Sequence, residues 1–210
     1  MADTAATSAN PILKEGHEDF DKEREYATRS PEDQRLDKIR RDANPAQGLS
    51  HTALRVKDAR VTTKFYEEVV GLPLVRTDVV EKLTAMPPYD KPFDMMHFFF
   101  ELGDGSLLAF FELEEGTGPE LHEMPGDALQ WHFAIQLRSE QEVRDVEKRA
   151  KEAGINCFYI PHDESLSLYL EDPDGFMLEV NHHRPHFDTL IDPKAAHERI
   201  EEWHKNGRRW

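Results

Sequence analysis

The strongest constraint in this sequence is that its middle is written twice. The first copy opens His51-Thr52-Ala53-Leu54-Arg55-Val56 and continues into a helical stretch from about Ala59 to Val70 that Gly71 ends. A strand is expected at Leu72–Val80, another around Met96–Leu102, a turn at Gly103-Asp104-Gly105, and a strand at Ser106–Leu113. The second copy opens His132-Phe133-Ala134-Ile135-Gln136-Leu137, with a helix expected from about Glu140 to Ala153 and a stop at Gly154. Strands then follow at Ile155–Ile160, Leu166–Glu171 and Phe176–Asn181, with Asp172-Pro173-Asp174-Gly175 as the hairpin turn. His51 stands 20 residues before Gly71, and His132 stands 22 before Gly154. Both copies read strand–helix–strand–strand–strand.

Side chains alternate across a strand, so each opening strand has a large apolar side and a polar side. Leu54 and Val56 oppose His51, Ala53 and Arg55; Phe133, Ile135 and Leu137 oppose His132, Ala134 and Gln136. The apolar side should take the helix, which leaves the histidines on the open face. In the closing strands, alternation is read as setting Phe110 and Glu112 against Ala109, Phe111 and Leu113. It likewise sets Met177, Glu179 and Asn181 against Phe176, Leu178 and Val180. Each copy then offers one histidine and one glutamate, and the four converge if the two sheets face each other. A single strand histidine is commonly satisfied by a neighbour or by solvent, and a single glutamate is commonly surface. The repetition makes His51, His132, Glu179 and Glu112 candidate ligands for a divalent ion such as iron(II), zinc, nickel or manganese. Glu112 also opens an acidic run (Glu112, Glu114, Glu115, Glu120, Glu123, Asp127) that a solvated loop explains equally well.

Charge narrows the function classes. Twenty-six Lys and Arg against 42 Asp and Glu give a net charge of −16, and no Lys or Arg occurs between Lys91 and Arg138. Such a field repels a phosphate backbone, so no nucleic-acid partner is expected. Cys157 is the only cysteine, which excludes an internal disulfide and a thiolate zinc cluster. No membrane partner is expected, because no run of 18 apolar residues occurs; no secretory leader is visible either, and a cytoplasmic location is expected. Outside the repeat, Ser30-Pro31-Glu32-Asp33 starts a helix that Leu36 and Ile39 carry toward Asn44-Pro45. Asp192-Pro193 starts another, with Asn206-Gly207 as its stop and Ala196, Ile200 and Trp203 on one face. The expected organisation is an N-terminal helical arm over 1–48, a central domain over 49–184 with modules 49–114 and 129–184, and a C-terminal helix within 185–210.

Residues 48–184 resemble the vicinal oxygen chelate superfamily, which includes glyoxalase I, type I extradiol dioxygenases, methylmalonyl-CoA epimerase and fosfomycin-resistance proteins. The resemblance rests on three stretches. They are His51-x-Ala-Leu-Arg-Val-Lys-Asp, Phe65-Tyr66…Gly71-Leu72-Pro73-Leu74, and Glu171-Asp172-Pro173-Asp174-Gly175-Phe-Met-Leu-Glu179. It implies an α+β fold in which paired βαβββ modules form a cup-shaped mixed sheet around a metal, with helical extensions at both ends. The stretch Ile160-Pro161-His162…Leu168-Tyr169…Asp172-Pro173-Asp174-Gly175…Glu179 is similar to the ring-cleavage signature of the extradiol dioxygenases. That similarity implies an Fe(II) triad of His51, His132 and Glu179 acting on a small aromatic, catechol-like substrate and O2. Tyr169 would then hydrogen-bond to a reacting oxygen and His162 would handle protons. The competing expectation is a glyoxalase I-like isomerase or lyase with Glu112 as fourth ligand or base and Mn, Ni or Zn in place of iron. A metal-free binding module of the bleomycin-resistance kind is a third. Cup formation within one chain and by swapping between the chains of a homodimer are both open at this stage, the intrachain cup being the simpler because one chain of 210 residues carries both units.

Overall fold

Each module's helix is capped at its start by a side chain, Asp58 in one and Ser139 in the other, and stops by the glycine the sequence marks, Gly71 or Gly154. In the computed structural model the described residues are 30–46, 48–85, 88–118, 131–184, 187 and 192–205. They fall into two compact units, one of the described residues within 44–160 and 167–182, the other of those within 30–43, 161–166 and 183–205. In the first unit, β1 (Leu54–Arg55) leads to α2 (Ala59–Lys64), which runs on as a π-helix over Phe65–Val70. Asp58 caps α2 by accepting from the Arg60 N–H at 2.9 Å, and Gly71 ends the π segment at φ 93°, a left-handed conformation that only glycine takes without strain. In the second module, Ser139 caps α3 (Glu140–Glu152) through the Glu142 N–H, while the Glu142 carboxylate reaches back to the Arg138 N–H.

The remaining strands are β2 (Leu74–Leu83), β3 (Phe93–Glu101), β4 (Leu107–Leu113), β5 (Phe133–Gln136), β6 (Cys157–Pro161), β7 (Ser165–Glu171) and β8 (Met177–His183). They form two four-stranded sheets of identical order, β1-β4-β3-β2 and β5-β8-β7-β6. In each, the first strand pairs parallel to the last, while β2, β3 and β4 pair antiparallel in turn. The α+β class and the two βαβββ modules expected from the repeat are therefore present as two mixed sheets.

The repeat is exact enough to number one module by the other. Leu102 N–H bonds Ser106 O and Gly105 N–H bonds Leu102 O; seventy residues on, Asp172 bonds Phe176 and Gly175 bonds Asp172 in the same pattern. Val56 N–H bonds Phe111 O, as Leu137 N–H bonds Asn181 O. Residues 97, 99, 109, 111 and 112 thus answer to 167, 169, 179, 181 and 182.

The first module's core is aromatic. Tyr66 is fully buried and packs on Phe100 and Phe110, with ring centroids 5.3 and 4.8 Å away. Phe98 and Leu108 join them, each such side chain contributing about 1.5–3 kcal/mol of burial. α3 buries Val143, Val146 and Ala150, a spacing of three and four residues that keeps one face inward.

The modules are tied together at the β7–β8 turn. Asp172 accepts from the Asp174 and Phe176 N–H groups and from the Tyr66 hydroxyl at 3.0 Å. Asp174 accepts from the Lys57 N–H at 2.8 Å and the Thr62 hydroxyl at 3.2 Å. Arg149 of α3 donates to the carbonyls of Val69 and Val70, the acceptors that the end of the π segment leaves open.

In the other unit, α1 (Pro31–Asp42) starts where Ser30-Pro31 predicts. α4 (Pro193–Lys205) starts at Asp192, whose carboxylate accepts from the Ala195 N–H at 3.1 Å. Leu36, Ile39 and Ile200 are each at least half exposed and Trp203 slightly less so. The expected stop at Asn206-Gly207 and the acidic stretch from Glu120 to Asp127 lie outside the described residues.

Burial holds the Asp172 carboxyl at about 6, against the pull of the hydrogen bonds from Phe176, Asp174 and Tyr66. A folded-state pKa above the ordinary 3.8 means the protonated form favours the fold. That contribution is complete below the ordinary value and is lost as pH rises through the raised one. Asp172→Asn, which cannot ionise, should therefore gain on the wild type by up to about 3 kcal/mol as pH rises from roughly 4 to 7. Urea titrations across that range check it; a pH-independent difference refutes it.

Candidate functional site

Parallel pairing of first and last strands places a first-strand side chain beside a last-strand one. Ala134 stands opposite Glu179 in the β5–β8 register, so His132, two residues back on the same face, reaches the Glu179 carboxylate. His132 Nε2 lies 3.1 Å from Glu179 Oε2. The Tyr169 hydroxyl donates to the same oxygen at 2.8 Å, and Asn181 Nδ2 donates to Oε1 at 2.8 Å. Ser167 adds a further side-chain hydrogen bond to this carboxylate. Glu179 is only 7% exposed. Burial pushes its pKa up, but the hydrogen bonds from Asn181, Ser167 and Tyr169, with His132 nearby, outweigh it and hold the group below its ordinary value. Burial and the Glu179 bond both raise the Tyr169 phenol, which keeps it a proton donor. Phe158 stacks on Tyr169 at 5.6 Å, and Met177, Trp131 and Ile160 complete an apolar wall.

The equivalent face of the first module is built differently. His51 is exposed, its Nδ1 3.2 Å from the Ser50 hydroxyl, and its ring lies 5.7 Å from His97 and 6.1 Å from Phe99. His97 stacks on Phe111 at 3.9 Å and sits 4.0 Å from Phe99. The Arg76 guanidinium lies 5.1 Å from the centre of the Phe99 ring. Burial, then the neighbouring His51, lowers the His97 pKa.

Glu112 is the residue whose placement differs from the sequence expectation. Phe110 packs against Tyr66 of the helix, and Phe111 packs against His97 on the opposite face, so Glu112 shares the helix side with Phe110. Its carboxylate accepts from the Ala59 N–H at 2.5 Å, at the first turn of α2. It serves there as a helix cap, and the residue answering to Glu179 is Ala109. Alternation does not separate the two faces here because Leu107–Phe111 is apolar on both; Glu112 answers instead to His182, whose Nδ1 lies 3.0 Å from Leu137 O.

Of the six residues singled out by sequence, the structure gathers His132, Tyr169 and Glu179. His51 stands on the other sheet beside His97, Glu112 caps α2, and His162 is half-buried in the β6–β7 link, which groups with the other unit. Among the described residues, no three His, Cys, Asp or Glu side chains are arranged to hold an ion. Ser167 and Asn181 were not assigned a role from sequence. Each lies two residues from an assigned one on the same strand face, and that is the signal that finds them.

Two sheets of matching βαβββ topology, each presenting a first-strand histidine, define a class of proteins built from paired modules. Residues 48–180 match the family described as the Glyoxalase/Bleomycin resistance protein/Dioxygenase superfamily, and the chain belongs to that superfamily. A probable lactoylglutathione lyase of Vibrio parahaemolyticus is 30% identical over 137 residues, which are 63% of this chain and 88% of that protein. Among solved structures, a glyoxylase/bleomycin resistance protein/dioxygenase domain from Frankia sp. is 20% identical, covering 65% of this chain and 98% of its own at a TM-score of 0.49. The fosfomycin resistance protein FosX of Listeria monocytogenes, solved with Mn(II) and sulfate, is 24% identical, covering 66% and 94% at a TM-score of 0.44. Nothing in these matches singles out the extradiol dioxygenases. No helix among the described residues is long and apolar enough to cross a membrane.

The capping role of Glu112 has a measurable consequence. Glu112→Ala should cost roughly 0.5–2 kcal/mol of stability, and Glu112→Gln less, because the amide oxygen still accepts from Ala59. Metal content measured by mass spectrometry should be unchanged in both; its loss in either variant would put Glu112 back among the ligands.

Proposed function

We propose that the protein is a divalent-metal-dependent lyase or isomerase of the glyoxalase type. His132 and Glu179 supply two ligands, and His51 of a second copy of the chain supplies a third. The observation that carries this reading is the 3.1 Å separation of His132 Nε2 and Glu179 Oε2. Two ligands bound at about 2.0–2.2 Å and roughly at right angles on one ion stand about 3 Å apart, so the pair fits a metal. Asn181 Oδ1, buried beside Glu179 without a hydrogen-bond partner among the described residues, marks the same spot as built around something polar. Because His51 is not gathered with the pair in one chain, a homodimer that sets one copy's His51 face on the other's Glu179 face completes the set.

A bound divalent ion would polarise a substrate oxygen and stabilise charge that develops next to a carbonyl. The chain's own residues do the rest. Asn181, Ser167 and Tyr169 fix both oxygens of Glu179, so the carboxylate is aimed without reorganisation. With Ala109 at the equivalent position in the first module, Glu179 is also the carboxylate in place to accept a proton from carbon. Trp131, Phe158 and Ile160 keep water from that exchange.

One observation favours a second reading. With Ala109 where a second carboxylate would stand, the set is two histidines and one carboxylate, the donor set of non-haem iron(II) oxygenases. That is the ring-cleaving dioxygenase acting on a small aromatic substrate with O2.

A single comparison separates the two. Protein purified without oxygen and loaded with Ni(II), Zn(II), Mn(II) or Fe(II) is assayed for conversion of a 2-oxoaldehyde–thiol adduct and for O2 uptake with catechols. Turnover of the adduct without O2 is expected, with kcat/KM falling at least 100-fold in Glu179→Gln and about 10–100-fold in Tyr169→Phe. Iron-dependent O2 uptake with no adduct turnover would establish the second reading instead. Sedimentation should show a species of twice the 24.3 kDa chain mass.

A further inference from the structure

We propose that His97 is a metal ligand beside His51, so that the first module meets the His132–Glu179 pair with two imidazoles. The inference rests on the metal-centre reading above and deepens it. The module correspondence sets His97 against Ser167, the residue that hydrogen-bonds Glu179, and Ala109 against Glu179 itself. The first module has therefore exchanged a short polar side chain and a long carboxylate for a long imidazole and a methyl group on the same patch. His97 faces Phe111 in the β3–β4 register and its ring leans to within 4.0 Å of Phe99, whose register partner is Ala109. The space left by the missing carboxylate is thus the space the imidazole adjoins.

The nitrogen geometry agrees. His97 Nε2 is buried and has no hydrogen-bond partner among the described residues, and the rings that the imidazole packs on, Phe99 and Phe111, offer it none. A buried polar atom left in that condition calls for an explanation, and an ion is one. The His51 ring lies 5.7 Å away. Metal–nitrogen bonds of about 2.0–2.1 Å hold two imidazole centroids on one ion within about 6 Å of each other. Ser50 engages His51 Nδ1, which turns Nε2 outward as the ligating atom. Three imidazoles and one carboxylate favour zinc, nickel, copper or iron over magnesium and calcium.

His97→Phe keeps the stack on Phe111 and cannot ligate; His97→Gln is the second variant should the phenyl ring disturb folding, which a thermal melt of the metal-free protein reports. In the Cu(II)-loaded full chain, pulsed electron paramagnetic resonance should count three imidazoles in the wild type and two in either His97 variant. Ni(II) affinity by calorimetry should fall at least tenfold. Two imidazoles in the wild type, or a His97 variant with unchanged count and affinity, overturns the proposal. If His132→Phe weakens binding while both His97 variants do not, this inference fails and the metal-centre reading stands. If the wild type takes up no metal, both fail.

Discussion

Everything at the candidate site follows from the parallel pairing of the first and last strands in each module. A parallel ladder between β5 and β8 puts Ala134 opposite Glu179, and the pleat then carries His132 and Glu179 out on the same face. A parallel pair cannot be closed by a tight turn, so the chain between the two strands must supply a crossover helix and a hairpin. The helix covers one face and the hairpin strands widen the other. The face away from the helix is where the histidine emerges, beside the buried Ser167, Tyr169, Glu179 and Asn181.

The duplicated topology has not produced two equal sites. The second module has invested its open face in one carboxylate and the donors that hold it, Tyr169, Asn181 and Ser167. The first has an aromatic floor of Phe99 and Phe111 with imidazoles on it. Two facing modules with a buried glutamate each would bring like charges together, which raises one pKa sharply unless an ion lies between them. With Ala109 in place of the second carboxylate, that repulsion is absent, and Glu179 keeps the low pKa its hydrogen bonds give it.

The fold was legible because the repeat carries its own punctuation: Gly71 and Gly154 as stops, and turns at Gly105 and Gly175 that take positive φ. His132, Tyr169 and Glu179 were legible because their strands alternate cleanly between large apolar and polar residues. Glu112 was not, because Leu107-Leu108-Ala109-Phe110-Phe111 is apolar on both faces and gives alternation nothing to separate. Counting back from the paired turns resolves the register that hydrophobicity leaves open. That His51 stands beside His97, apart from the His132–Glu179 pair, could not be read from strand patterns, since a period of two assigns a face and says nothing of which sheet that face meets.

The acid excess also changes meaning once each carboxylate is traced to its partner. Asp58, Glu112, Glu142 and Asp172 all accept from backbone N–H groups at helix starts or in a turn. Glu147 takes the Tyr159 hydroxyl and the Lys151 ammonium. These acids satisfy donors that helix ends and tight turns leave unpaired, and at helix N-termini the backbone dipole favours their charge. A net charge of −16 therefore does not describe the site, whose described hydrogen-bonded cluster contains one carboxylate. The pull of that single group on an approaching cation is local and short-ranged, screened over about 8 Å at physiological ionic strength. What concentrates it is burial: Glu179 is held ionised among Tyr169, Phe158 and Met177, where a charge interacts more strongly with whatever ion or proton reaches it than any surface acid does.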